Sequence, residues 1–170
     1  MRVSRHEDLK LKVPQPVPEV WRDRLLAHLL RLSTESRRNR FFVWMSDEAL
    51  ARHAARTTPA AIVEARIGGE TRGMAEVHLS RGGRAEAEIS VSVEDGWQRR
   101  GIGAALVAQA VREARLRGAE SVTLYYLPAN AAMRKIAHRA GFARLSQGDP
   151  TLVQARLSIP AGGAAPARLH

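Results

Sequence analysis

Between Ala85 and Gly118 the spacing of apolar residues changes across one short corner. AEISVSV alternates apolar and polar residues, the period of a half-buried strand. LVAQAVREARLRG brings its apolar residues round every three to four positions, the period of a helix. The corner between them carries Arg99, Arg100, Gly101 and Gly103. A helix start leaves its first N–H groups unpartnered and is the positive end of the helix dipole. Glycine lets a ligand approach such a backbone closely. The corner is therefore suited to an anion, with phosphate or diphosphate as the natural guest.

The flanking sequence supplies a scaffold. Residues 1–18, with three prolines in VPQPVP, read as an irregular or edge segment. Residues 19–32 place Val20, Leu25, Leu26, Leu29 and Leu32 on one face of an amphipathic helix. Ser33 to Ser36 reads as a stop and a new N-cap, RRNR as a basic turn, and Ser46 as the cap of the helix DEALARHAAR. AAIVEARI, TRGMAEVHLS and RAEAEISVSV then form a three-strand meander, with Gly68-Gly69 and Gly82-Gly83 as its turns.

After the corner comes a helix over 101–117, closed by Gly118, and then SVTLYYL, an apolar run expected of a strand buried on both faces. A helix over 130–140 ends at Gly141, and FARLS and TLVQARLSI close the fold as strands. The expected fold class is α/β (α+β): a mixed, mostly antiparallel central sheet with helices on both faces. One domain is expected over 19–159, with a disordered tail at 160–170. The strand–helix–strand step through the corner implies a parallel crossover, which puts residues 95–101 at a strand's carboxyl end, where open α/β sheets bind ligands.

Composition narrows the chemistry. The 170 residues include no cysteine, so disulfides, thiolate metal sites and a Cys nucleophile are out. No apolar run is long enough to span a bilayer, and MRVSRHEDLKLKVP lacks the apolar centre of a secretory signal. A cytoplasmic location is the expectation. The formal charge of +10 comes almost wholly from Arg, since Lys occurs only at Lys10, Lys12 and Lys135. Those arginines are scattered, with no basic block interleaved with aromatics, which argues against a nucleic-acid surface.

Two phosphate-binding motifs fail here. A mononucleotide loop needs a lysine that this corner lacks, and a dinucleotide fingerprint needs a third glycine where Leu106 stands. Gln98-Arg-Arg-Gly-Ile-Gly-Ala104 instead resembles the Q/R-x-x-G-x-G/A motif of the GCN5-related N-acetyltransferases. Asn130, Met133, Ile136 and Gly141-Phe142 resemble that family's later helix pattern, and the element order is similar. Leu32-Ser-Thr-Glu-Ser-Arg-Arg-Asn-Arg-Phe-Phe42 is similar to a segment of bacterial protein-lysine acetyltransferases. In those enzymes the domain occurs alone or fused to nucleotide-sensing domains, and here it is expected to stand alone.

The resemblance implies acetyl-CoA as co-substrate and no metal. It implies that Gln98, Arg99, Arg100, Gly101, Ile102, Gly103 and Ala104 hold the diphosphate through the loop. It implies that Val91, Ser92 and Val93 pair with the cofactor's arm between splayed strands, and that Asn130 and Met133 border it. Asn130 also reads as an ordinary N-cap. Acetylating an amine requires its neutral form, and at pH 7 only about one lysine in a few thousand is neutral. A general base answers that need. The family places a Glu on the strand before the glycine loop, which implies Glu88, with Glu86 next and Glu76 third; His78 on the same strand as Glu76 is a further candidate. Partial burial of Glu88 is expected, to raise its pKa. Many members carry a Tyr as general acid where this chain has Ala137, with Tyr125 and Tyr126 nearby. The acceptor expected is a protein lysine. A small amine, or a non-catalytic basic binding module of the same fold, is the alternative, and a homodimer is compatible with either. Neither a membrane nor a nucleic acid is an expected partner.

Overall fold

The computed structural model describes residues 8–13, 20–80, 85–146 and 149–160. Its elements are β1 (Lys10–Lys12), α1 (Val20–Leu30), α2 (Thr34–Phe41), α3 (Asp47–Arg56), β2 (Ala61–Ile67), β3 (Glu70–Leu79), β4 (Glu86–Val93), α4 (Ile102–Leu116), β5 (Ser121–Tyr126), α5 (Ala131–Arg139), β6 (Ala143–Arg144) and β7 (Val153–Ser158). Seven strands form one sheet in the order β1-β2-β3-β4-β5-β7-β6. Every neighbouring pair is antiparallel except β4 and β5. This is the mixed, mostly antiparallel α/β sheet that the patterning implies.

Alternation along the strands divides the core in two. On one face Ile62 and Met74 pack with Leu25, Leu29, Leu50 and Ala54 of α1 and α3. On the other, Val63, Ala65, Ala75, Val77 and Ile89 pack with Leu106, Val107, Ala110 and Ala114 of α4. Helices therefore cover both faces. Gly73 is what lets α4 lie so close: a Cβ there would sit 2.9 Å from Leu106 Cδ1 and 3.1 Å from the Ser92 carbonyl oxygen.

Several expectations shift. RRNR is no turn but the body of α2, which runs to Phe41 with Ser33 as its N-cap. Arg and Asn tolerate a helix, and the cap fixes the start; the actual break is Phe42, in the left-handed region at φ 67°. Val20 opens α1 but is 54% exposed, so it does not join Leu25 and Leu29 in the core. Lys10–Lys12 pairs with β2 as an edge strand, so the N-terminal segment is not wholly irregular and the sheet begins before residue 19. Gly68 and Gly69 both take positive φ at the β2–β3 turn, at 59° and 84°. The expected turn at Gly82-Gly83, most of VPQPVP and the expected disorder of 161–170 lie outside the described residues.

Gly73→Ala should destabilise the fold by about 1–3 kcal/mol, the usual cost of forcing a methyl group into a packed site. Urea denaturation will read this as a lower midpoint with an unchanged m-value.

Candidate active site

Where β4 meets β5, the pairing stops short. It runs Glu86↔Ser121, Ala87↔Val122 and Glu88↔Thr123 and goes no further. Yet β4 continues to Val93 and β5 to Tyr126. Beyond Glu88 the two strands part, leaving a gap at their carboxyl ends. Which backbone groups face it follows from alternation. Glu94 N–H donates to the Arg72 carbonyl and Ser80 N–H to the Glu86 carbonyl, each at 2.9 Å, so even-numbered positions of β4 turn toward β3. The Ala85 carbonyl accepts from Glu120 and Ser121 on the β5 side, so odd-numbered positions turn toward β5. Ile89 and Val91 thus offer their main chain to the gap, as does the Val93 N–H, while the Val93 carbonyl already accepts from Gln98 Nε2. Ser92, expected among them, does not: its main chain belongs to β3, and its buried hydroxyl lies 2.9 Å from His28 Nε2.

A pocket opens at the gap. Glu88, Ile89, Ser90 and Val91 form one wall and Leu124 and Tyr125 the facing wall. Asn39, Arg40 and Phe42 close it from α2, and Asn130 and Met133 from the start of α5. Asn130 caps α5, its Oδ1 accepting from Met133 N–H at 3.0 Å. Tyr125 lines the pocket while Tyr126 is buried in the core. Burial, and then the Glu88 and Glu86 carboxylates, raise the Tyr125 pKa and keep it protonated. Ala137 is 2% exposed inside the core.

Glu88 departs from expectation in its setting: it is exposed, and the partial burial anticipated for it is absent. On β4 it is the last residue paired with β5, opposite Thr123. Glu86 is tied to Arg156, at 2.5 Å. Glu76 is 1% exposed and held by Arg40 at 2.5 Å, Thr57 at 2.8 Å, His53 at 3.2 Å and His78 at 3.3 Å. Burial pushes its pKa up, but the Arg40 charge and the histidine hydrogen bonds outweigh that and hold it well below the usual carboxylate range.

The corner lies above the gap. Gly101 adopts φ 82° and caps α4, with no side chain bonding the helix start. The N–H groups of the first turn are therefore open. The two glycines have different physical reasons. A Cβ on Gly101 would meet nothing, but its left-handed φ disfavours other residues. A Cβ on Gly103 would come 3.0 Å from Ile136 Cδ1, so this glycine makes room for α5 as well as for a ligand. Ile102 is buried and Ala104 exposed. Arg99 is exposed at φ 59°. Arg100 stacks on Trp97, 4.7 Å from the ring centroid, with Arg72 also over that ring at 5.3 Å. Gln98 Nε2 donates to the Val93 carbonyl and to Ser36 Oγ, both at 3.0 Å, which ties the corner to α2.

Several contributors were not singled out from sequence. Asp95 accepts from Ser33 Oγ at 2.7 Å, Ser36 Oγ at 2.9 Å and Ser33 N–H at 3.1 Å. Those bonds outweigh its burial and lower its pKa. Beneath it Glu94 binds Arg31 at 2.7 Å and Arg72 at 3.1 Å, with His28 at 3.5 Å. Burial raises the Glu94 pKa, but these bonds prevail and bring it to about 2. Burial also lowers the pKa of His28, which is fully enclosed. The serine spacing in LSTES and the acidic pair after β4 are the signals that, read together, would have suggested this clasp.

The comparisons agree with the geometry. The model of the Acetyltransferase (GNAT) family matches residues 18–142. The chain belongs to that family. It is an N-acetyltransferase, and acetyl-CoA is its co-substrate. Among solved structures, the GNAT domain of S. lividans PAT is 25% identical, with TM-score 0.73, over 89% of this chain and 90% of that one. YncA from Salmonella typhimurium, solved with its cofactor acetyl-CoA, is 18% identical, with TM-score 0.66, over 94% and 99%. The ribosomal-protein-S18-alanine N-acetyltransferase of Escherichia coli is 16% identical, with TM-score 0.65, over 95% and 99%. These last two are likenesses of fold. No curated protein sequence matches the chain.

Two expectations follow. Glu94 has a depressed folded pKa, so its contribution is complete above 4.5 and fades as pH falls toward about 2. Urea unfolding from pH 7 downward should show wild type losing stability through that window more steeply than Glu94→Gln. Separately, Gly101→Val should weaken acetyl-CoA binding by about tenfold or more, about 1.4 kcal/mol per decade, in calorimetry on folded protein. Gly103→Val will also disturb α5, so only the Gly101 variant isolates the corner.

Proposed function

We propose that the chain acetylates lysine side chains of cytoplasmic proteins, with Glu88 as general base. The observation that carries this reading is α2. Its sequence resembles protein-lysine acetyltransferases, and its Asn39 and Arg40, with Phe42 just after, wall the pocket opposite Glu88. The segment that bears the substrate-class resemblance is thus the segment bordering the acceptor side.

The donor fits the remaining features. We assign its diphosphate to the open N–H groups of Gly101, Ile102, Gly103 and Ala104, with Gln98, Arg99 and Arg100 shaping and charging the loop. Its amide-bearing arm is assigned to the gap edge at Val91 and Val93, between β4 and β5, with Asn130 and Met133 alongside. A strand edge with unpaired polar groups favours a guest that brings its own amides. When bound, acetyl-CoA supplies an activated acyl group.

Glu88 sits at the lip of the pocket, where water and an acceptor both reach it. Its role is to take the proton that keeps a lysine amine from attacking. Glu76 is unsuited to that role, because Arg40 already neutralises it. Tyr125, held protonated on the facing wall, is assigned as the hydrogen-bond donor toward the leaving sulfur, the task for which Ala137 has no group.

The test is an acetyl-CoA turnover assay with four acceptors: a lysine peptide, an acyl-CoA synthetase, spermidine and an aminoglycoside, with product masses measured. Acetylation of the peptide or synthetase alone supports the reading, and acetylation of a small amine alone contradicts it. Glu88→Gln should lower kcat by about 10²–10⁴-fold with acetyl-CoA affinity retained. A near-wild-type kcat in that variant removes Glu88 as the base.

A further inference from the structure

We propose that Arg40 selects the acceptor, the open edge of its guanidinium donating to a peptide carbonyl beside the amine to be acetylated. The inference deepens the lysine reading above and rests on it. Its starting point is the setting of Arg40 on α2. The side chain is only 10% exposed, and it lines the pocket that Glu88 also lines. A guanidinium carries five N–H donors. Among the described residues one hydrogen bond uses them, from Nη2 to Glu76 Oε1 at 2.5 Å.

The rest of the guanidinium is not sealed away. Among the described residues Arg72 Nε is the one buried side-chain nitrogen or oxygen without a partner. Nε and Nη1 of Arg40 also lack partners, so both are open, and the pocket is the opening that Arg40 borders. The group is held still as well. Its Cζ lies 4.6 Å from the Phe41 ring centroid, and that ring meets His53 edge-on at 5.0 Å. Thr57, His53 and His78 bind the same Glu76 carboxylate, at 2.8, 3.2 and 3.3 Å. A donor fixed before its ligand arrives loses little freedom on binding.

Charge decides which oxygen fits. Among the described residues Arg40 is the only cation lining the pocket, and the ionised Glu76 already compensates it. The Glu88 carboxylate lines the same pocket. An incoming carboxylate would meet that like charge with no spare cation to offset it. A neutral peptide carbonyl meets no such repulsion and accepts a charge-assisted hydrogen bond. The compensation suits the other end of the acceptor too, because a lysine ammonium approaching Glu88 faces no uncancelled positive charge. A four-carbon stem separates the lysine amine from its main chain. One residue can therefore present its amine to Glu88 and a main-chain carbonyl to a second point on the pocket wall. A simple alkylamine or polyamine brings no carbonyl.

Two acceptors isolate that carbonyl: Nα-acetyl-lysine methylamide, and pentylamine, which keeps the stem and the primary amine but has no peptide group. The quantity read is the ratio of their kcat/KM values. Wild type should favour the lysine derivative by about tenfold or more, the worth of a hydrogen bond to a charged donor. Arg40→Lys keeps a cation for Glu76 but gives up the second edge of the guanidinium. In that variant the ratio should fall to about twofold or less, with KM for acetyl-CoA unchanged. A merely structural defect lowers both acceptors alike and leaves the ratio intact, so an unchanged ratio overturns the assignment. So does a wild type that takes both acceptors equally. If urea denaturation shows Arg40→Lys unfolded, Arg40→Met combined with Glu76→Gln, which removes both charges together, is read by the same ratio. A wild type that acetylates pentylamine or spermidine but no lysine derivative or peptide removes the lysine reading and this one with it. Lysine acetylation with an unchanged ratio in the Arg40 variant removes only this one.

Discussion

The structure turns on two parallel strands that stop pairing halfway. β4 and β5 hold one another from Glu86 to Glu88 and then separate, although each continues. Among the described residues they are the one parallel pair in an otherwise antiparallel sheet, joined by the crossover through α4. An unmade backbone hydrogen bond in a half-buried place is costly unless something else satisfies it. The parting therefore creates a slot with main-chain groups free of β5, the slot to which the amide-bearing arm is assigned. The same divergence sets the start of α4 over the slot, because the chain leaving Val93 must turn at the corner to cross the sheet. The open start of α4 and the slot are consequences of one topological event.

Carboxylates, buried at Glu64, Glu76 and Glu94 and exposed at Asp95, hold the helices before β2 against the sheet. Glu76 joins β3 to α2 and α3, Glu94 joins the end of β4 to α1 and β3, and Asp95 joins the corner to the start of α2. Glu64 does the same for β2 and α1 through Arg24. Buried ion pairs are weak evidence for stability, because desolvation offsets much of their attraction. Their value here is positional. They fix three short helices, which share one small apolar core, against a sheet whose own edge is open. An arginine-rich chain has the cations for that task, and Arg24, Arg31, Arg40 and Arg72 serve it.

The legible part of this protein is what obeys a period or a local motif. Strands β2 to β5, helix α4 with Gly118 behind it, and the caps Ser33, Ser46 and Asn130 follow from alternation, helical spacing and turn chemistry. The strand–helix corner was readable from the change of period, while the packing of Gly103 against Ile136 of α5 was not. What depends on pairing across long separations was not. Ser92 looks like its neighbours in sequence, and only the register with β3 shows its main chain turned away. Asp95 and Ser33 lie 62 residues apart, and nothing local announces their bond. Glu88 was expected to be partly covered because a general base gains from a raised pKa. It is exposed, as its polar position in the alternation of β4 allows. RRNR read as a turn by its polarity, yet the Ser33 cap and α2's position against Glu76 keep it helical.

The most direct measurement is a crystal structure of the chain grown with CoA. The account predicts the diphosphate on the main-chain N–H groups at Gly101 to Ala104 and the pantetheine arm lying between β4 and β5 against Val91 and Val93. A diphosphate bound away from the start of α4, or β4 and β5 zipped together beyond Glu88 with the arm lying elsewhere, would contradict it.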